Sequence, residues 1–190
     1  MTSTEIKALQ DTNLATNDAN EITAAKLREV TTELIKKSGG WGDYNNSSSS
    51  TPQSPEEPSA WLTLNNSGTG TLTNTDFLPY YVENLWSDNK VQLNGLSLGT
   101  IMTLRFDLTL SILSNNTDVL FRVLFRDSEG TEVYTHVFDY RVFKSSGTLS
   151  GVNFYEFYVG ASILNGTAEL QVQADHNITA LFNGILITIP

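Results

Sequence analysis

The chain has 190 residues and a formal net charge of −10, of which −9 falls in residues 41–190 because that part carries 15 acidic and six basic residues. So few cations exclude tight binding to a nucleic-acid backbone, which needs clustered Lys and Arg, and the length fits one domain with an appendage. The lack of cysteine excludes disulfides, thiolate metal sites and a cysteine nucleophile.

The beginning of the chain carries no targeting signal. Residues 1–20 have neither the basic start nor the apolar run of a secretory signal peptide, and no later stretch is apolar over the length of a membrane span. We therefore expect synthesis in a host cytoplasm without a signal peptide, and neither a membrane nor nucleic acid as a partner.

An amphipathic helix is predicted between Thr23, a good N-cap, and the Gly39-Gly40 pair, which ends it. Its apolar stripe has spacings of three and four and consists of Leu27, Val30 and Leu34, with Ile22 in the staple position before the cap. A helix of about fifteen residues is marginal alone in water, so this stripe needs a cover. The cover is either the chain's own β domain or an association with copies of the chain or a larger assembly.

A flexible linker rich in Gly, Ser and Pro is predicted over residues 41–59, because this stretch has too little apolar content for a core. A flexible linker favours association of the helix with copies of the chain or with a larger assembly, because it separates the helix from the β domain. We therefore interpret residues 1–40 as a helical anchor and trimerisation segment. Trp41 and Tyr44 lie within the linker. They are interpreted as further anchor contacts, or alternatively as rings that cover the end of the helix or the rim of the domain.

From residue 60 the apolar pattern changes to a period of two, which is typical of half-buried strands. Turn signals recur about every ten residues between these segments. The predicted strands are 104–112, 119–125, 133–143, 152–159, 168–174 and 185–189, with shorter ones near 61–64, 69–73, 80–86 and 90–93.

This pattern predicts a mainly β protein, with an antiparallel β-sandwich of jelly-roll type over residues 60–190 as a head domain behind the N-terminal helical segment. The segments 120–125 and 154–159 are apolar on both faces, more than a two-sheet monomer needs. Packing of identical subunits around a three-fold axis would supply the second buried surface. The alternative is that these strands lie centrally under long loops.

No pattern for catalysis or for metal binding accompanies the polar residues. His136 and His176 do not form a ligand-spaced pair, and no serine has a nucleophile-elbow sequence. Asp139 with Glu156 as paired carboxylates, and Asp127 with Glu129 as calcium ligands, are less favoured than plain solvent-facing acids. We expect no enzyme activity, no metal and no cofactor.

Aromatic residues concentrate between Phe77 and Trp86, beside acids and amides. Flat rings stack on the apolar faces of sugars while carboxylates and amides bind the hydroxyls, so Tyr80, Tyr81 and Trp86 are candidate glycan contacts. The alternative is that these rings point into the core.

The residues from Ile22 to Val30, followed by the rest of the helix and by Gly39-Gly40-Trp41-Gly42-Asp43-Tyr44, resemble the N-terminal segment of virion fibre, spike and appendage proteins of tailed bacteriophages. The Asn/Thr-rich β domain, ending in Ile185–Ile189 before Pro190, is similar to the trimeric heads of such fibres. The helical motif covers about a quarter of the chain. The chain departs from long fibres because it has no extended coiled coil or β-helical shaft.

This resemblance implies a structural virion protein: a short homotrimeric head fibre or capsid decoration spike, bound to capsid or tail proteins through its N-terminal segment, with host attachment and a host-surface glycan as further implications. The alternative is a monomeric carbohydrate-binding module. A native mass near three times 20.9 kDa would favour the first hypothesis.

Overall fold

A computed structural model describes residues 25, 27–29, 31, 39–47, 52–80 and 82–190. Residues 25, 27–29 and 31 are helical, in agreement with the predicted helix, and the Thr31 hydroxyl donates a hydrogen bond of 2.7 Å to the Leu27 carbonyl. The rest of the predicted helix lies outside the described residues. None of the helical residues that the structure describes belongs to a helix long and apolar enough to cross a membrane.

Sheet A contains four antiparallel strands in the spatial order β1, β10, β5, β8. Their bounds are β1 (Gly40–Asn45), β5 (Ile101–Ile112), β8 (Gly147–Tyr158) and β10 (Ile178–Ile189). Gly40 lies opposite Ile189, and Ile101 lies opposite Tyr158. Strand β5 is therefore central, whereas β8 is the last strand on its side.

Sheet B has the order β3, β4, β9, β6, β7, and the short β2 also pairs with β9. The bounds are β2 (Leu62–Thr63), β3 (Trp86–Ser87), β4 (Lys90–Gln92), β6 (Thr117–Arg126), β7 (Glu132–Phe143) and β9 (Thr167–Ala174), with a 3-10 turn at Ala161–Ile163 before β9. All these pairings are antiparallel. Strand β7 is the last strand of this sheet.

The chain crosses between the sheets from β5 to β6, from β7 to β8, from β8 to β9 and from β9 to β10. Two antiparallel sheets connected in this way form a jelly roll. The predicted fold class, a mainly β antiparallel sandwich of jelly-roll type, is confirmed.

The core lies between the sheets and follows from the alternation in β5. Every second residue from Met102 to Ile112 is buried, because these side chains all point toward sheet B. Phe106 meets Phe138 of β7 at 5.8 Å and Phe182 of β10 at 6.2 Å between ring centroids, both edge to face. Rings from both sheets thus interlock at the middle of the sandwich.

The six longer predicted strands correspond to β5, β6, β7, β8, β9 and the second half of β10. Of the shorter predicted strands, some are present in the structure and others are not. Strands β2 and β4 match 61–64 and 90–93, but residues 69–73 form a turn that lies over β1, where the Gly70 amide donates to the Asn45 carbonyl at 2.7 Å. Of residues 80–86, only Trp86 belongs to a strand.

The prediction of a flexible linker is wrong for its first part. Gly40–Asn45 forms strand β1, which pairs along its whole length with β10. Gln53 and Ala180 also exchange two backbone hydrogen bonds of 2.7 Å. Backbone pairing needs no apolar composition, so a Gly- and Asn-rich stretch joined the sheet without the usual strand pattern. Only residues 48–51 of this stretch lie outside the described residues.

Candidate assembly surface

One flank of the sandwich is formed by two long edge strands, β7 of sheet B and β8 of sheet A. Among the described residues each pairs with a single strand, β7 with β6 and β8 with β5. Each is 12 residues long. Exposed sheet edges of this length are sites where protein chains associate unless they are protected.

The outer side of sheet A at this flank is apolar. The register places Tyr158 beside Ile101 of β5, Phe154 beside Arg105 and Val152 beside Asp107, all pointing away from the core because the even-numbered residues of β5 point inward. Phe154 and Tyr158 are 65% and 68% exposed. We call this the β8 face; it consists of Ile101, Val152, Phe154 and Tyr158.

The outer side of sheet B carries a matching apolar row on β7. Val137 lies beside Arg122 of β6 and Tyr140 beside Leu120, on the side opposite the buried Phe121 and Val123. Tyr140 is 55% exposed. We call this the β7 face; it consists of Val133, Val137, Tyr140 and Val142, all exposed large apolar side chains.

Between these two faces, the inward side chains of the flank link one sheet to the other. The Tyr155 hydroxyl lies 2.9 Å from His136 Nδ1, and the Tyr155 ring lies 4.9 Å from the ring of Phe138. Burial, together with the nearby Tyr134, raises the pKa of Tyr155 to about 12. The Tyr155 hydroxyl therefore stays protonated at neutral pH and can form a hydrogen bond with His136.

A second polar link lies further along the flank. Arg141 donates from Nε to the Asp139 carboxylate at 2.7 Å and from a terminal nitrogen to the side-chain oxygen of Asn153 on β8. The Arg141 guanidinium also lies 5.6 Å from the ring of Phe121. Together with the His136–Tyr155 contact, this link holds β7 and β8 at a fixed spacing.

The outer face of sheet B contains a buried ion network beside the flank. Glu169 of β9 accepts a hydrogen bond of 2.9 Å from Arg126 Nε and lies 3.4 Å from Lys90 Nζ. Burial raises the pKa of Glu169, but the hydrogen bond and charge of Arg126 and the charge of Lys90 more than offset this, so the pKa lies below its ordinary value. This carboxylate is therefore held in its charged form.

The predicted anchor residues are separated by the structure. Leu27 is helical and exposed, whereas Ile22, Val30 and Leu34 lie outside the described residues. Tyr44 is only 2% exposed, and its hydroxyl accepts a hydrogen bond of 2.9 Å from the Leu85 amide. Its role as an exposed anchor contact is therefore wrong, because β1 places every second side chain inside the sandwich.

Trp41 remains accessible, in contrast to Tyr44. It lies on the opposite side of β1 and stacks on Phe77 with ring centroids 4.8 Å apart. Phe77 itself is 55% exposed. The Trp41 amide also donates to the Phe77 carbonyl at 2.9 Å. The pair forms a flat aromatic surface where the chain enters β1.

The predicted glycan contacts do not form one site. Trp86 is 2% exposed, donates through Nε1 to the Asn66 carbonyl at 2.9 Å and lies edge to face on Phe182 at 5.6 Å. Trp86 is thus a core residue and cannot stack on a sugar. Tyr80 is half-buried, and Tyr81 lies outside the described residues.

Three of the carboxylates proposed for catalysis or calcium binding, those of Asp127, Asp139 and Glu156, have structural partners. The Asp127 carboxylate accepts hydrogen bonds of 2.9 Å from the amides of Glu129 and Thr131, which shapes the β6–β7 turn. Asp139 binds Arg141, and Glu156 accepts from Thr103. In the described part of the chain no group of three or more His, Asp or Glu side chains could hold a metal ion.

Sequence reasoning found half of the exposed apolar surface. The two-sided character of 154–159 was recognised, and Phe154 and Tyr158 do point outward. The β7 face was missed, because Val133–Phe143 shows the alternation expected of an ordinary half-buried strand. Val137 and Tyr140 are three residues apart and share a face only because the β6–β7 register shifts at Phe121/Arg122, so strict alternation carries no signal for this face.

Comparisons with known proteins found no matching family model and no matching curated protein. Among solved structures, the chain is similar to "Structure of infectious bursal disease virus Gt strain" (TM-score 0.46, 9% identity, 78% of this chain and 32% of that chain). It is also similar to PRD1 vertex protein P5 (TM-score 0.35, 15% identity, 79% and 96%) and to Eiger TNF from S. frugiperda (TM-score 0.36, 7% identity, 78% and 90%). The chain spans about a third of the length of the first of these. All three TM-scores lie below 0.5, so no conclusion about this chain rests on them.

Proposed function

We propose that the chain is a non-catalytic structural protein of a virion: a short homotrimeric head fibre or spike of a tailed bacteriophage, attached to capsid or tail proteins through its N-terminal segment. The observation that carries the proposal is the pair of exposed apolar rows on the outer sides of β7 and β8, because exposed apolar patches rimmed by polar residues mark sites of contact with other proteins. A jelly roll also suits this role by analogy, since viral capsids use the same architecture.

The two ends of the sandwich differ in a way that supports an anchor at one end and displayed loops at the other. Gly39 lies against Ile189 and Pro190, so the N-terminal segment leaves the sandwich at the end where β10 finishes. The loops 113–116, 144–146 and 175–177 lie at the other end, a distance of about 40 Å for a 12-residue strand. An anchor at one end would therefore display these loops outward.

The loops at this far end of the sandwich are joined to neighbouring segments by hydrogen bonds, which suits an exposed tip. The Ser146 amide donates to the Asn115 side chain at 2.8 Å, and the Asp118 amide donates to the Asp175 carboxylate at 2.8 Å. In this proposal any host-surface contact is made by these loops. The Trp41–Phe77 surface lies beside Gly40 at the opposite end and serves the attachment side.

The test compares the full chain with a chain lacking residues 1–38, expressed during infection by the virus that encodes it. The deletion stops before β1, because removal of Gly40 would cut the β1–β10 pairing. We expect the truncated protein to keep a β-type circular dichroism spectrum but to fall at least tenfold in purified particles, measured by quantitative mass spectrometry.

A pair of point variants on the helix controls for the size of the deletion. Leu27→Asp places a charge in the apolar stripe, whereas Glu29→Gln changes an exposed residue of the same helix. We expect the first to lower particle content and the second to leave it unchanged. Undiminished incorporation of the truncated protein would refute the anchor, and absence of the full chain from particles would refute the virion role.

The second candidate function, a monomeric carbohydrate-binding module, has one observation in its favour. Phe77, exposed and backed by Trp41, offers a flat ring near Asp76, as sugar-binding surfaces do. A glycan array distinguishes the candidates: binding that is lost in Phe77→Ala, by a protein with a native mass near 20.9 kDa, favours the module.

A further inference from the structure

We propose that Asn94 is a site of spontaneous covalent modification, where the Asn94-Gly95 pair closes into a cyclic imide and the side-chain amide is lost as ammonia. The reaction needs only water and is independent of the proposed virion role.

Three Asn-Gly pairs occur in the chain, at residues 94–95, 165–166 and 183–184. Glycine after asparagine favours cyclisation, because it has no side chain to hinder its amide nitrogen and its backbone can rotate freely. Residues 93–95 and 164–166 are both Leu-Asn-Gly, so the local sequence does not distinguish these two pairs. A difference in their reactivity must therefore come from the fold.

Asn94 lies in an exposed turn between β4 and β5. Gly95 has a φ of +79°, and the Leu96 amide donates to the Leu93 carbonyl at 3.4 Å, the arrangement of a type II turn with a long hydrogen bond. In the described part of the chain, neither the Asn94 side chain nor the Gly95 amide hydrogen-bonds to another residue. The peptide between them can therefore rotate while the buried Leu93 and Leu96 hold the ends of the turn.

A polar cavity of about 280 Å³ adjoins this turn. Besides the two residues of the pair, its lining consists of Glu83, Asn84, Ser87, Gln92. Asn94 and Gly95 are both exposed at its rim. The site thus has room for the ring and access for the water that opens it.

The second pair, Asn165-Gly166, holds its attacking nitrogen in place. The Gly166 amide donates to the Ile163 carbonyl at 2.9 Å, and the Gly166 carbonyl accepts from the Leu93 amide at 3.1 Å. A Cβ on Gly166 would lie only 2.0 Å from the Arg126 carbonyl oxygen, so this backbone is tightly packed. Although the Asn165 side chain is exposed, the peptide after it cannot turn toward it without local opening.

The third pair, Asn183-Gly184, lies inside strand β10. The Asn183 side chain donates to the Thr109 hydroxyl at 3.1 Å, and its carbonyl accepts from the Asn46 amide at 3.0 Å. Gly184 is buried in the strand that lies between β1 and β5. Cyclisation here would require the middle of sheet A to open.

The reaction at Asn94 conserves every atom. The Gly95 amide nitrogen loses its proton and bonds to Asn94 Cγ, the bond from Cγ to Nδ2 breaks, and Nδ2 leaves with that proton as ammonia. Water then opens the ring at one of its two carbonyls. Opening at Cγ gives aspartate, whereas opening at the main-chain carbonyl gives isoaspartate, whose backbone runs through the former side chain.

Each product changes this corner of the sandwich. Both add a negative charge at the cavity that Glu83 also lines. Isoaspartate in addition lengthens the backbone by one carbon atom between Leu93 and Leu96, which belong to the core. We therefore expect the stored protein to accumulate more acidic forms, one of which has an altered link between β4 and β5.

The experiment follows the three Asn-Gly pairs of the purified full chain at mildly alkaline pH in water enriched in heavy oxygen. Peptide mass spectrometry measures the conversion at each pair over time, in buffer and in urea. Asn94→Gln is the test variant, since glutamine would have to close a larger, slower-forming ring. Asn177→Gln is the control, because Asn177 is exposed at the opposite end of the sandwich and precedes Ile178.

In the folded chain we expect Asn94 to convert at least about tenfold faster than Asn165 and Asn183, because the other two pairs must first open locally. In urea the three rates should become similar. Aspartate and isoaspartate should both appear, each with one oxygen from the solvent. Isoelectric focusing should show the acidic form in Asn177→Gln but not in Asn94→Gln.

Equal rates at the three pairs of the folded chain, or slower conversion at Asn94, would overturn the proposal. A difference that persists in urea would also overturn it, since the cause would then be the sequence and not the fold. Formation of aspartate alone would refute the cyclic imide. None of these results affects the proposed virion role, which is decided by the particle content of the full chain.

Discussion

Strands β5 and β7 have the same length and both contain alternating apolar and polar residues, yet their burial differs completely. In β5 every second side chain is buried, because the strand lies between β10 and β8 and faces sheet B. In β7 most side chains on both faces are exposed, because the strand ends its sheet. Alternation thus indicates which side chains share a face, but not whether anything covers that face.

The largest expected effect is the difference between replacing a buried phenylalanine of β5 and replacing an exposed phenylalanine of β8. Phe106→Ala in β5 should lower the free energy of unfolding by about 3–5 kcal/mol, because it leaves a cavity between Phe138 and Phe182. Phe154→Ala in β8 should change it by less than about 0.5 kcal/mol in a single subunit, because the ring lies in water.

Urea unfolding of both variants, at a protein concentration low enough to keep the chains in single copies, measures this difference without a contribution from association. Similar losses for the two substitutions would mean that the β8 face is covered within one subunit, and the contrast between buried and exposed apolar rows would then be wrong.

The next effect concerns Glu169 on the outer side of sheet B. At this place the sheet carries charged side chains, in contrast to the apolar β7 face. Glu169→Ala should cost about 2–3 kcal/mol, because the partly exposed Arg126 and Lys90 both lose the buried carboxylate that binds them. Thermal or urea unfolding checks this. Asp127→Ala, which affects only a solvent-exposed turn, is the control and should cost about 1 kcal/mol or less.

The smallest effect is a pH dependence of the flank itself. The pKa of Tyr155 is raised from 10.0 to about 12 in the folded state, so the folded protein holds this proton more tightly than the unfolded chain. The resulting stability is complete below pH 10 and is lost as the pH rises toward 12, by about 2–3 kcal/mol at about 1.4 kcal/mol per pKa unit.

Urea unfolding at pH 9 and at several values up to pH 12 measures this slope. Tyr155→Phe removes the titrating hydroxyl and should reduce the slope without abolishing it, because burial also raises the pKa values of Tyr44 and Tyr134. Tyr158→Phe, on the exposed β8 face, is the control and should change the slope less. An equal slope in Tyr155→Phe and in the unchanged chain would contradict the assignment.

Much of the fold was predictable because local alternation of apolar and polar residues, together with turn residues, indicates where strands lie. The pattern located β5 to β9 and the second half of β10, and therefore the sandwich. Strand β1 was missed because its partner β10 lies about 140 residues away along the chain, so the pairing leaves no local trace in a Gly-rich stretch. Whether Trp86 is a glycan contact or a core ring stayed open for a similar reason: its contacts with Asn66 and Phe182 are distant in sequence.

The sequence by itself determined that this chain is a β-sandwich of jelly-roll type behind a helical segment, because period-two apolarity and turn chemistry act over a few residues. Only the tertiary structure decided which apolar rows are core and which are surface. That depends on which strands end the sheets, and strand order is set by pairings between residues far apart in the chain, such as Gly40 with Ile189 and Ile101 with Tyr158. The same alternation that builds the core at β5 leaves apolar rows in water at β7 and β8, because these rows lie on the outer sides of the two sheets, where the described residues leave them exposed.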